Sequence, residues 1–222
     1  MPTIAQAQPV TNGHDESLDH YVLTAPEHGA GYFYAQTAPG TALTLFAFAI
    51  TLGLLSMVNS EILSLAALPV VVPVAFTLGG TAIFVGGLWD FRAGNMFGGI
   101  VGVAYAMFYF SFALMLQFFA APLVTAAGAG AFGDALGAYL LIWALVTAAL
   151  CVSAAFVGKM VLAALVVLTA VFLALGFANT GGSTDLGHIG GYLGLLDAAI
   201  ALYLATAILA NTTAAREILP IR

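Results

Sequence analysis

Val161 to Leu175 reads VLAALVVLTAVFLAL, with Thr169 as its one polar residue. A membrane-crossing β-strand alternates polar and apolar residues, and this run does not. Extended to 160–178, it approaches the roughly twenty apolar residues a helix needs to cross a hydrocarbon layer ~30 Å thick at a rise of ~1.5 Å per residue. Five further stretches pass the same test: 41–59, 66–89, 96–121, 136–157 and 188–210. Each is bounded by a charge, an Asn or a Gly/Ser/Asp-rich gap. Only Gly158 and Lys159 separate the fourth stretch from the fifth, and one continuous helix there would overshoot a bilayer, so a tight hairpin is expected. The fold class is all-α, a polytopic membrane protein built as a bundle of six transmembrane helices.

Composition leads to the same solvent. Of 222 residues, 62% are apolar and 6% charged, with four Lys and Arg in all, too few to cover a water-facing surface. Residues 39–212 form the expected transmembrane domain. Residues 1–38 read as a polar, mildly acidic and partly disordered tail, and 213–222 as a short C-terminal tail. Tyr32, Phe33 and Tyr34 suit the headgroup level. Arg92, Lys159, Arg216 and Arg222 all fall after spans two, four and six, which share one side. The positive-inside rule makes that side the cytoplasm, with both termini in it, and puts Glu61, Asp134 and Asp185 outside. No secretory or organelle signal is evident, so the expected site is the cell (plasma) membrane, with the first span as the insertion signal.

Several chemistries lack their residues. Three of the four His (His14, His20, His28) lie in the tail, so facing helices cannot supply two imidazoles to a haem. The only Lys, Lys159, lies at a membrane edge, unsuited to a retinal Schiff base. A lone Cys151 excludes disulfides within the chain and thiolate metal clusters. No nucleotide loop and no basic patch for nucleic acid is present, so neither a cofactor nor an enzymatic activity is expected. Glycines recur at helical spacing in Gly94, Gly98 and Gly102 and in Gly190 and Gly194, which suits close helix contact and oligomer faces.

The stretch Trp89-Asp90-Phe91-Arg92-Ala93-Gly94-Asn95-Met96-Phe97-Gly98, followed by Tyr105, Phe108 and Tyr109, resembles the acetate uptake transporter family, also called the succinate/acetate permeases. Agreement continues through Leu45 to Asn59, Gly79-Gly80, Trp143, Thr147, Phe172, Asn179, His188 to Leu195, Tyr203 to Ala205 and Leu219-Pro220-Ile221, in unbroken order over about 39–222. Two departures stand out. The family's Asn-Pro-Ala-Pro-Leu-Gly-Leu falls on Pro39 to Leu45 and keeps only its two Leu, and Met96 replaces the usual Thr. The resemblance implies six helices per protomer, a homo-hexamer with a pore in each protomer, and proton-linked uptake of a small carboxylate substrate, acetate above all.

The same resemblance assigns the pore constriction to Phe48, Tyr105 and Leu168, which would gate by dewetting. Sequence alone would leave Phe48 and Leu168 as core or lipid-facing side chains and Tyr105 as a buried phenol. Polar residues in spans need partners, so Thr51, Tyr109, Thr147, Thr169 and Asn179 are candidates for the substrate pathway, with bonding back to their own helix as the plain alternative. Asn95 is either a helix cap or a substrate contact. Asp90 and Arg92 read as edge residues facing water or headgroups. His188 begins span six and is a candidate for substrate binding or pH sensing. Asp197 lies some nine residues into that span, where ionisation would cost several kcal/mol in lipid without a partner, and no base lies in any span. It is the proton-linked candidate. Two other functions compete: a passive channel for small neutral solutes such as acetic acid, urea or ammonia, and a membrane sensor or scaffold that transports nothing.

Overall fold

A computed structural model describes residues 38–221. The expected N-terminal tail, with its aromatic cluster, lies outside the described residues. Among the described residues, six helices are long and apolar enough to span: α1 Thr41–Asn59, α2 Leu65–Arg92, α3 Met96–Ala127, α4 Ala129–Ala154, α5 Lys159–Gly181 and α6 Thr184–Ala214. No strand occurs among the described residues. Large apolar side chains such as Leu145 and Phe156 point outward, as a lipid solvent requires.

The hairpin at Gly158 forms, with Ala155 to Gly158 turning between α4 and α5. The expected loop between spans three and four is largely helix instead. Thr125 to Ala127 finishes α3, and Ala129 to Leu136 belongs to α4. Only Gly128 breaks them, at φ +88°, a value that favours a residue without Cβ. Small residues such as those of 126–131 carry no span signal but tolerate helix. For the same reason α6 begins at Thr184, capped by Ser183 Oγ accepting from Leu186 N at 3.4 Å.

Span α2 is not regular. It opens with a short tight turn at Leu65–Ala67, capped by Ser64 Oγ accepting from Ala66 N at 3.1 Å. Pro73 lies inside the helix and lacks the N–H that would continue its ladder. From Ala75 to Ala82 the backbone then widens into a π-helix, a form concentrated at functional places. Thr77 Oγ1 donates to Pro73 O at 2.8 Å across this reset. The widened turn presents Gly79 to Tyr109 of α3, where an added Cβ would come within 2.6 Å of the Tyr109 ring.

The closest neighbours are α4 with α5, α1 with α6, α5 with α6 and α2 with α3. The glycine stripes serve these internal contacts. A Cβ on Gly102 would come within 2.7 Å of Gly87 Cα, one on Gly190 would strike Leu175, and one on Gly194 would strike Ser56. Gly94 is no part of a helix face, since it forms the turn after α2 at φ +78°. The close helix contact expected of these stripes is made within the chain, which leaves little of them for faces between copies.

Candidate functional site

Two cavities formed by the described residues enter the bundle, and they approach each other from opposite helix ends. The first, about 330 Å³, reaches Asn59 at the end of α1, Leu65 at the start of α2 and Asn179 near the end of α5. We label it the outer cavity, after the orientation expected from the sequence. The second or inner cavity, about 140 Å³, reaches Thr41 at the start of α1, Asp90 near the end of α2 and Asn95 before α3. Their walls have three residues in common: Phe48, Tyr105 and Leu168.

These three belong to α1, α3 and α5. The Phe48 ring centroid is 5.9 Å from that of Tyr105 and 6.3 Å from that of Tyr109. Behind them Phe108 packs against Tyr109, Phe112, Tyr139, Trp143 and Phe172, with centroids 5.0 to 5.8 Å apart. A block of rings in close contact resists deformation, since interiors pack at near-crystal density. It fixes the face of α3 that carries Tyr105. Tyr105 Oη is 2.9 Å from Thr147 Oγ1 of α4, and Thr147 Oγ1 donates to Trp143 O at 2.8 Å. Thr147 thus stands behind Tyr105 and lines neither cavity.

The other pathway candidates divide. Tyr109 and Asn179 line the outer cavity, although Asn179 Nδ2 also donates back to Leu175 O at 2.8 Å. Asn95 lines the inner cavity and is also a helix cap, its Oδ1 accepting from Gly98 N at 3.0 Å. Thr51 and Thr169, expected on the pathway, line neither cavity. Each spends its hydroxyl proton on the carbonyl four residues earlier, Thr51 on Ala47 O at 2.8 Å and Thr169 on Leu165 O at 2.7 Å. His188 also stands off both cavities, with Nε2 3.4 Å from Glu61 Oε2 in the turn after α1.

Asp197 lines the inner cavity and is 1% exposed, and neither of its carboxyl oxygens has a hydrogen-bond partner among the described residues. Asp90 differs from its expected place. It is not an edge residue in water or headgroups but is fully buried in the wall of the same cavity. Its Oδ1 accepts from Thr41 Oγ1 at 2.7 Å and from Asn95 Nδ2 at 3.2 Å, while its Oδ2 is unpartnered. Proximity to an edge in sequence concealed this, because α1 starts beside the end of α2 and covers it. One signal was available: an acid in the last turn of a helix opposes the helix dipole and needs a local reason. Thr44, also on this wall and buried with an unpartnered Oγ1, carried no sequence signal. No Lys, Arg or His among the described residues lines either cavity.

Residues 25–220 match the GPR1/FUN34/yaaH family. The chain is 35% identical over 192 residues to "Ammonia transport outward protein 2" of Saccharomyces cerevisiae, covering 86% of this chain and 66% of that protein. It therefore spans just under two thirds of the yeast relative's length. Against "Succinate-acetate/proton symporter SatP" of Escherichia coli strain K12 it is 27% identical over 179 residues, covering 81% of this chain and 92% of the relative. A solved structure described as that of the bacterial acetate channel SatP superposes with a TM-score of 0.74 at 26% identity, covering 83% of this chain and 99% of that one.

Proposed function

The chain belongs to the GPR1/FUN34/yaaH family, and from that premise we propose that it carries acetate and similar small monocarboxylates across a membrane, through a passage within each protomer. The observation that carries the reading is the pair of cavities reaching in from opposite ends with Phe48, Tyr105 and Leu168 common to both walls. Three bulky side chains at one junction form an apolar gate, which water leaves readily and a small solute crosses on shedding its hydration. Relatives described as a succinate-acetate/proton symporter and an acetate channel support the substrate class. Coupling to protons is assigned to Asp197, a buried acid on the inner wall with no hydrogen-bond partner among the described residues. The proposed location is the plasma membrane with both termini in the cytoplasm, an orientation supported by the basic residues at the connections after α2, α4 and α6. A hexameric ring is the proposed assembly, with its interface on outward aromatic and aliphatic faces rather than on the glycine stripes.

A second reading, a passive channel for small neutral solutes, draws on the lack of basic side chains in both walls among the described residues and on the yeast relative described as an ammonia transport protein. Acetic acid that equilibrates passively also collects on the alkaline side of a pH gradient, so labelled acetate uptake into liposomes is measured beside ammonia and urea flux. In the coupled case the protein speeds acetate and not the neutral solutes, whereas in the passive case it speeds ammonia or urea equally and shows no preference for the carboxylic acid.

A further inference from the structure

A pathway for anions ordinarily offers them donors or positive charge, and the inner cavity offers the reverse. Its wall receives Thr41 and Thr44 from α1, Asp90 from α2, Asn95 and Tyr105 from around α3, and Asp197 from α6. From α5 it receives apolar side chains such as Leu165 and Leu168. Its titratable groups are Asp90, Asp197 and Tyr105. The amide protons of Asn95 already serve Thr41 and Asp90, and the Thr41 hydroxyl serves Asp90. The Tyr105 proton serves Thr147, because the Thr147 proton goes to Trp143 O. Among the described residues of this wall, what remains without a partner is Asp197 Oδ1 and Oδ2, Asp90 Oδ2 and Thr44 Oγ1. Buried polar groups are almost always partnered, so two bare carboxyl oxygens beside an open cavity mark the place of a ligand able to share a proton.

We propose that the inner cavity receives one carboxyl group of the substrate as an acid–carboxylate pair with Asp197, a single proton shared between them, and that this pairing admits monocarboxylic acids and excludes dicarboxylates. The proposal rests on the carboxylate reading above and specifies the species that moves. An O–H···O⁻ bond of this type is short and strong, and it needs no cation. As the substrate leaves, the proton passes from an Asp197 oxygen to a substrate oxygen: one O–H bond breaks and one forms. A neutral acid departs on the far side, and Asp197 stays ionised until a proton entering from the side that supplied the acetate restores it, so that one proton crosses with each acetate. A second, ionised carboxylate on the same substrate finds no base in this wall and another acid, Asp90, facing the same space. Like charges in a space shielded from water repel strongly, so the dicarboxylate is rejected.

The test uses the purified full chain in liposomes, with labelled acetate and labelled succinate at a pH where both succinate carboxyls are ionised. The unaltered protein is expected to move acetate with one proton each, insensitive to a potassium diffusion potential, and to move succinate about tenfold more slowly or less. Asp197→Asn cannot share a titrating proton and removes the negative charge. It is expected to narrow the acetate-to-succinate ratio by about tenfold and to make the remaining flux respond to potential, with Asp197→Glu restoring the parent behaviour. An Asn variant with the parent ratio overturns the pairing, as does acetate flux in the unaltered protein that potential drives without proton movement. The second measurement decides alone if the variant fails to fold. No acetate flux of any kind from the unaltered protein would overturn the carboxylate reading itself, a result distinct from potential-driven flux.

Discussion

Tyr105 Oη and Thr147 Oγ1 stand 2.9 Å apart behind the junction of the two cavities, and the tyrosine is the donor. Thr147 has one hydroxyl proton, already given to Trp143 O at 2.8 Å, so both bonds are made together only in that sense. Tyr105 therefore gives its proton to Thr147 rather than to the passage. Its hydroxyl holds α3 to α4 and leaves the junction apolar in character.

That bond is predicted to show as coupling. Thr147→Val leaves a buried phenol unpaired at a cost of about 1–3 kcal/mol, whereas adding Tyr105→Phe removes the orphan, so the double variant should lose less than the sum of the two singles. Denaturant unfolding in detergent measures all three. Strictly additive losses would show that the bond contributes nothing.

Truncation at the junction is predicted to relax selection. Phe48→Ala and Leu168→Ala remove two of the three side chains common to both cavities. Flux of larger monocarboxylates such as butyrate should rise several-fold relative to acetate, since one or two methylenes of fit are worth about 1–3 kcal/mol. Unchanged flux and unchanged discrimination in both variants would remove these residues from the gate.

The α2–α3 contact is predicted to tolerate no Cβ. Gly102→Ala places a carbon 2.7 Å from Gly87 Cα, which is backbone and cannot turn aside, so a loss of about 1–3 kcal/mol is expected. Gly130→Ala is the control: an added Cβ there meets nothing within 4 Å, and helix propensity makes the change neutral or stabilising by up to about 1 kcal/mol. Comparing the thermal midpoints of the two proteins checks the contrast. Equal shifts would contradict the close contact.

The six spans were legible because lipid demands long uninterrupted apolar helices, a signal that survives any detail of packing. The connection between spans three and four was not, since Ala126 to Ala131 are all small residues that read alike in loop and helix. Among the polar candidates, Thr51 and Thr169 could not be told from Thr147 by type. Which of them meets another helix depends on rotation about the helix axis, and the apolar faces here are too uniform to reveal it. Asp197 was legible as an isolated acid. Its companion Asp90 was not, because its burial depends on Thr41 of α1 lying over it, a contact between residues 49 apart in sequence.

The end of α6 is predicted to hold the following segment through one side chain. Asn211 Nδ2 donates to Leu219 O at 2.7 Å, and Asn211 Oδ1 accepts from Ile218 N at 2.7 Å and Leu219 N at 2.9 Å. Tyr203 Oη adds a bond to Pro220 O at 2.7 Å. Asn211→Ala removes three bonds at once, each worth about 1 kcal/mol, and should release this segment without unfolding the bundle. Limited proteolysis should then cut after Arg216 at least several-fold faster. An unchanged cleavage rate would contradict the clamp.

Whether the protein moves a carboxylate, and whether a proton goes with it, can be read in one assay. Labelled acetate uptake by the purified protein in liposomes, with an outside-acid pH gradient and again with the gradient collapsed, measures both. Uptake is expected well above that of protein-free liposomes, with accumulation only while the gradient stands and loss of that dependence in Asp197→Asn. Uptake no faster than in protein-free liposomes under either condition would show that acetate is not what these cavities carry.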